Sequence, residues 1–223
     1  MSICEAIATH TNRRIDIELE AYETDVYLAD LLEICLCYTK DWLERRGISL
    51  EAIVHRDDFI LAHASSLDNP QLALLSSKPR SSGFDLAISN PPYFKLQKSD
   101  PRTQAAGIVV HGQPNIYALF MAVTAATLNN GGEMVFITPR SYAAGPYFRL
   151  FRETFFRKMK PVTIHLFGSR RDAFRRDEIL QENVVLIAKR VDGWWTNRNG
   201  DTVQISSCEG WVTCLILVCV RYR

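Results

Sequence analysis

With 223 residues, 47% of them apolar and 23% charged, the chain is long enough for one domain with a real core and too hydrophobic for disorder. Its six cysteines form no CxxC pair and no histidine stands at zinc-finger spacing, which argues against a metal site or disulfide framework and for reduced thiols in a cytosol. The longest apolar run, 211–220, is about half a membrane span and no signal peptide opens the chain, so a cytoplasmic protein without a membrane partner is expected.

In chain order, 14–23 alternates Ile15, Ile17 and Leu19 with charged neighbours and predicts a strand. A helix is predicted from Thr24 or Asp25 to Arg46, with Leu28, Leu31, Leu32, Cys35, Thr39, Trp42 and Leu43 on one apolar face and Gly47 at its C-cap. Short strands follow at 51–59 and 84–89. Asn115 is placed to cap a helix through Asn129, and the turn signal 129–132 leads into a strand over 133–138. A helix over 147–159 and strands at 162–167 and 183–189 complete the pattern. Strands alternating with helices predict an α/β fold with a mostly parallel sheet covered on both faces.

Charge is divided unevenly. The net value is +1, yet residues 1–60 hold thirteen acids against six Lys or Arg, and 140–176 holds ten Lys or Arg against two acids. Such a split suits a basic face for a polyanion, or a solvated helix surface. The five histidines read as structural, with His55 and His165 in strands.

Ligands of open sheets sit beyond the carboxyl ends of the strands. Glu23 ends the first strand, Asp58 the second, and Asn90-Pro91-Pro92-Tyr93 the third. A carboxylate at Glu23 can accept from both hydroxyls of a ribose; taken alone it equally suits a solvent-facing turn. The Asn-Pro-Pro-Tyr stretch is more specific, because an acid or amide before two prolines and an aromatic arises by chance in under about 1% of chains this size. Proline has no N–H, so this turn offers carbonyl oxygens without adjacent donors, and its fixed φ holds them rigidly. The Asn90 side-chain oxygen and the Pro91 carbonyl then form a cradle for an NH2 group. Gripping both amino hydrogens draws the nitrogen lone pair out of ring conjugation, and those bonds strengthen as positive charge develops. Tyr93 offers a face for a planar base, worth roughly 1–3 kcal/mol.

Asn90-Pro91-Pro92-Tyr93 resembles the catalytic motif of N6-adenine DNA methyltransferases of restriction–modification systems, in the gamma order. The segments AYETD (21–25) and RDDF (56–59) resemble the family's cofactor-ribose and cofactor-adenine segments, with Asp58 as the second carboxylate. The stretches 115–142, 145–153 and 164–190 are similar to those that follow the catalytic loop, and the likeness covers about 15–207. The resemblance implies a Rossmann-like class I methyltransferase fold and S-adenosylmethionine as cofactor, bound by Glu23, Asp58 and Asn90. It also implies double-stranded DNA as the partner, with adenine rotated out of the stack. Tyr93 and Phe174 would then sandwich the base, although Phe174 equally suits a core. Arg140, Arg149, Arg170 and Arg171 would hold DNA phosphates.

Two departures stand beside these matches. The family places a strand and glycine-rich loop before the ribose acid, but no Gly-x-Gly occurs among the eleven glycines here. The catalytic domain, 1–207, is therefore expected to lack its first strand, leaving two unpaired edges at the sheet centre. An atypical tail at 208–223 stands where the target-recognition domain is expected, and its apolar part suits a terminal strand or the readout of a shifted reading frame. A complementing chain would supply what is missing; the alternatives are a DNA-binding remnant or partner subunit without activity, or a methyltransferase acting on RNA or glutamine.

Overall fold

A computed structural model of the protein describes residues 15–67, 83–109, 112–167, 183–196, 201–208 and 217–222. Alternating Ile17, Leu19 and Ala21 with acids makes strand β1 (Asp16–Tyr22). Asp25 then caps helix α1 (Val26–Glu44), its carboxylate accepting from the Leu28 amide at 3.1 Å. Gly47, with φ of +76°, turns the chain into β2 (Ser49–His55). A five-residue helix α2 (Phe59–His63) follows, and then β3 (Phe84–Ser89), α3 (Pro101–Ala106) and α4 (Ile116–Thr127). The remaining elements are β4 (Leu128–Pro139), α5 (Arg149–Lys158), β5 (Met159–Phe167), β6 (Asn183–Arg190), β7 (Gln204–Cys208) and β8 (Leu217–Tyr222).

The strands form one sheet in the order β2-β1-β8-β3-β4-β6-β5-β7. Pairs β1/β2, β3/β4 and β5/β7 are parallel and the other four antiparallel, so six strands run one way, and β6 and β8 run against them. This is the predicted α/β class, but the sheet is mixed where the alternation predicts a mostly parallel one: β6 and β8 each run against both neighbours, so four of the seven pairings are antiparallel. Register assigns the two faces, because paired residues point to the same side. Ala87, Met134 and Ala188 pair in series and join the larger core with residues of α2 to α5. Ile17, Leu19 and Ala21 point to the other face, where Leu43, Ile48 and Leu50 complete a smaller core under α1.

Three expectations change. The buried stripe of α1 is Ala29, Thr39 and Leu43, with Leu32, Leu36 and Trp42 packed beside it; Leu28, Leu31 and Cys35 are exposed. The turn signal at 129–132 does not end a helix and start a separate strand. It lies inside β4 as a bulge: Phe84 pairs with Leu128 and Leu86 with Glu133, leaving extra residues on β4. Gly132 is required there, since a Cβ would come within 2.9 Å of the Phe84 carbonyl oxygen. Finally, the sheet centre has no unpaired edges. β8 fills the slot between β1 and β3, antiparallel to both, so the apolar end of the chain is an internal strand. No described helix is long and apolar enough to cross a membrane.

Candidate active site

Strands β1 to β4 run in one direction, so their carboxyl ends share one edge of the sheet. Ala21 and Ile88 both pair with position 218 of β8. Glu23 and Asn90, each two residues farther on, therefore end level and about 10 Å apart, two strand spacings. Ser89 pairs with Phe136, which sets Asn90 level with Ile137 and puts Arg140 three residues farther out on the same edge. The sequence-predicted residues Glu23, Asp58, Asn90 and Arg140 are thus brought to one rim by strand register alone.

Glu23 is held by its backbone, whose N–H donates to the His55 carbonyl at 3.0 Å. One carboxylate oxygen accepts from the Asp25 amide at 2.9 Å, leaving the other for a ligand. Asp58 follows β2 and caps α2, accepting from the Leu61 amide at 3.1 Å. Its second oxygen lies 3.6 Å from the Arg102 guanidinium, a contact the sequence did not reveal. Arg102 is itself gripped by Asp100 through bonds of 2.7 and 2.9 Å, and that hydrogen bonding holds the Asp100 carboxyl below its usual range. Asp100 also caps α3, with Pro101 in the first turn; an Asp-Pro pair at a helix start was the available signal.

Asn90 is half-buried, Pro91 buried and Pro92 exposed. Among the described residues no hydrogen bond reaches the Pro91 carbonyl. The expectation that no donor competes at Asn90 is corrected, because the Tyr93 hydroxyl lies 2.5 Å from its side-chain oxygen. The same hydroxyl is 3.0 Å from the Ile137 carbonyl. One proton cannot fully serve two acceptors, so when it points to Ile137 the Asn90 oxygen is released for another donor. The Tyr93 and Tyr117 rings meet at right angles, with 6.2 Å between centroids, which ties the Tyr93 ring to the core.

Behind this loop the wall is made of buried phenols. Burial pushes Tyr93 up, and pushes Tyr117 and Tyr142 up to about 12, offset at Tyr117 by a 2.8 Å bond with Ser141. Unfolded tyrosines ionise near pH 10, so this contribution to stability is complete below pH 10 and is lost as pH rises toward 12. Between pH 9 and 11 the unfolding free energy should fall by roughly 1 kcal/mol for each of Tyr117 and Tyr142. Denaturant melts at the two pH values test this; a Tyr142→Phe chain with an unchanged pH slope would contradict it.

The basic residues separate into three groups. Arg140 is exposed at the rim. Arg149 is paired with Glu153 at 2.8 Å, and that contact must open or be shared for it to meet a phosphate. Arg170, Arg171 and the aromatic Phe174 lie outside the described residues. Arg152, not singled out by the sequence, donates to the carbonyls of Tyr142, Ala144 and Gly145 and so fixes the segment after Arg140. A polar cluster was also missed. The Tyr22 hydroxyl lies 2.9 Å from Glu20 and 2.7 Å from His63, and His55 is 3.1 Å from Glu20, tying the ends of β1 and β2 to α2. The structural reading of His55 and His165 agrees with these partners, His165 being 2.8 Å from Ser206.

The type II methyltransferase M.BsuBI of Bacillus subtilis is 39% identical over 168 residues, which are 75% of this chain and 32% of that protein. M.PstI of Providencia stuartii is 32% identical over 190 residues, 85% of this chain and 34% of the relative. The chain therefore spans about a third of the length of these curated relatives. A crystal structure from Listeria monocytogenes, ascribed to the class I S-adenosylmethionine-dependent methyltransferases, superposes with a TM-score of 0.53 at 15% identity. It covers 94% of this chain and 65% of that one, and at this identity it is a likeness of fold. The model of the Eco57I restriction-modification methylase matches residues 14–174, a span that holds β1 to β5 and the whole rim from Glu23 to Arg140. With most of its length and the Asn90-Pro91-Pro92-Tyr93 loop inside that match, the chain belongs to the Eco57I restriction-modification methylase family.

Proposed function

We propose that this chain is the catalytic part of a DNA methyltransferase of a restriction–modification system, which methylates adenine at N6 in duplex DNA with S-adenosylmethionine. One observation carries the reading: the Asn90 oxygen and the Pro91 carbonyl stand at the carboxyl edge of β3, level with Glu23. Glu23 would hold the cofactor's ribose hydroxyls through its free carboxylate oxygen. Asp58 would accept from the adenine amine, sharing an oxygen now near Arg102. The cofactor supplies an electrophilic methyl group.

The chain's own part is to prepare the nucleophile. As the target amine enters, the Tyr93 proton turns to the Ile137 carbonyl and Asn90 accepts one amino hydrogen; the Pro91 carbonyl accepts the other. Both acceptors grow stronger partners as the nitrogen becomes positive, so they favour the transition state over the bound substrate. Neutral amides are poor bases, so the proton finally lost from nitrogen leaves to water and not to Asn90. Arg140 and Arg149, each exchanging its present partner, would neutralise phosphates beside the extruded nucleotide. Tyr93 supplies the stacking face, and Phe174 is the candidate for the second.

Described residues account for the adenosine half of the cofactor better than for its methionine half. Between Glu23 and Asn90 lies β8, which enters the rim at Leu217 and runs away from it. Among the described residues, this antiparallel strand brings no strand-to-helix turn of backbone N–H groups to the rim between Glu23 and Asn90. The chain by itself is therefore expected to bind S-adenosylmethionine weakly or not at all, and a complementing polypeptide would restore the affinity only by displacing β8 from its place between β1 and β3. Calorimetric titration measures this; a micromolar dissociation constant for the chain alone would overturn it. Incubating the chain, alone and complemented, with labelled cofactor and duplex DNA, RNA or protein tests the substrate. Label recovered as N6-methyladenine from DNA is expected, whereas label on RNA or glutamine, or salt-sensitive DNA binding without transfer, would replace the proposal.

A further inference from the structure

Helix α1 carries two apolar stripes. The inner one is used against β1 and β2, as described above. The outer one consists of Tyr27, Leu31, Ile34 and Tyr38, spaced four, three and four residues apart, the interval that aligns side chains along one seam of a helix. Tyr27 is 82% exposed, Tyr38 73%, Leu31 58% and Ile34 55%. Val26 and Leu28, also more than half exposed, widen the seam at its start. Six of the fifteen large hydrophobics most open to water among the described residues are therefore on this single helix. Its polar flank is already engaged elsewhere, since Asp30 and Glu33 pair with Arg56 at 2.7 and 3.0 Å. A solitary surface helix would carry charge where this one carries tyrosine and leucine.

The order of residues along the seam indicates its occupant. Tyr-Leu-Ile-Tyr at intervals of four, three and four reads the same in both directions, in spacing and in side-chain class. A second α1 laid antiparallel would place Leu31 against the partner's Ile34 and Tyr27 against the partner's Tyr38, with the reciprocal contacts generated by a two-fold axis. Two tyrosines, Leu31 and Ile34 at these exposures present on the order of 500 Å² per copy, and the flanking Val26 and Leu28 bring the patch toward what one side of a stable interface buries. We propose that the outer stripe of α1 is the interface of a homodimer in which two α1 helices pack antiparallel. None of Glu23, Asp58, Asn90 or Arg140 lies on it, so this pairing stands apart from the methyl-transfer reading.

Light scattering on the eluting full chain, loaded over about 1–100 µM, should give twice the 25.4 kDa chain mass at the upper end. Leu31→Glu/Ile34→Glu and Leu31→Lys/Ile34→Lys should each be monomeric, and an equimolar mixture of the two should regain the dimer mass as a heterodimer. Tyr27→Ser/Tyr38→Ser, which adds no charge to the helix, should weaken association at least about tenfold with an unchanged circular-dichroism melt. A monomeric wild-type chain throughout that range overturns the proposal. So does a Tyr27→Ser/Tyr38→Ser chain that dimerises as tightly as wild type.

Discussion

Removing residues 217–222 should abolish cooperative folding of this chain. β8 pairs with β1 from Ile17 to Tyr22 and with β3 from Leu86 to Ile88, so its loss exposes two facing rows of backbone donors and acceptors in the middle of the sheet. Each such hydrogen bond contributes about 0.5–1.5 kcal/mol net, and more is lost when a buried group is left without a partner. A domain of this size has only about 5–15 kcal/mol of total stability, which the loss of one central strand can exceed. Val218→Pro with Val220→Pro makes the same test without shortening the chain, because proline lacks the donor a central strand needs. Expected results are insoluble expression or a melt without a sigmoidal transition. Truncated and intact chains melting at the same temperature would show that β1 and β3 do not depend on the strand between them.

The rim was legible in the sequence because its parts are local. Two prolines fix the backbone of 91–92 whatever packs around them, Asp25 and Gly47 delimit α1, and Ile17 and Leu19 alternate with acids in a pattern only a strand satisfies. Strand ends in such a fold share an edge, so Glu23, Asp58 and Asn90 could be grouped from spacing alone. What sequence could not deliver were choices made between distant segments. Leu28 and Leu31 fall at helical intervals from the inner stripe as well as the outer, and only the position of β1 and β2 decides that Ala29 and Leu43 face inward. Likewise, an apolar run near the C-terminus predicts a strand but not its partners, and the partners of β8 lie some 130–200 residues earlier in the chain. The hydroxyl of Tyr93 was beyond reach for a smaller reason: a side-chain rotamer aims it at Asn90 and Ile137 rather than at solvent.

Asn90→Ala in the complemented enzyme should lower the methyl-transfer rate about 10²-fold or more, the usual consequence of deleting one oriented partner of developing charge. The contact matters at one moment of the reaction. An amide oxygen facing an amine in the ground state merely replaces water, but once the nitrogen begins to bond to carbon its remaining hydrogens become acidic and the same contact becomes charge-assisted. The loss should therefore fall on kcat, with the affinity for DNA changed little. Asn90→Asp keeps an oxygen in place and should retain far more activity than alanine, which separates the acceptor from mere packing. Tyr93→Phe removes the hydroxyl that competes for Asn90 while keeping the stacking face, so it should cost much less than Tyr93→Ala. An Asn90→Ala enzyme that transfers methyl at the wild-type rate would remove the amine cradle from the mechanism. A loss seen only in DNA affinity would instead make Asn90 a binding contact, and the Pro91 carbonyl would be left as the sole acceptor on the reacting nitrogen.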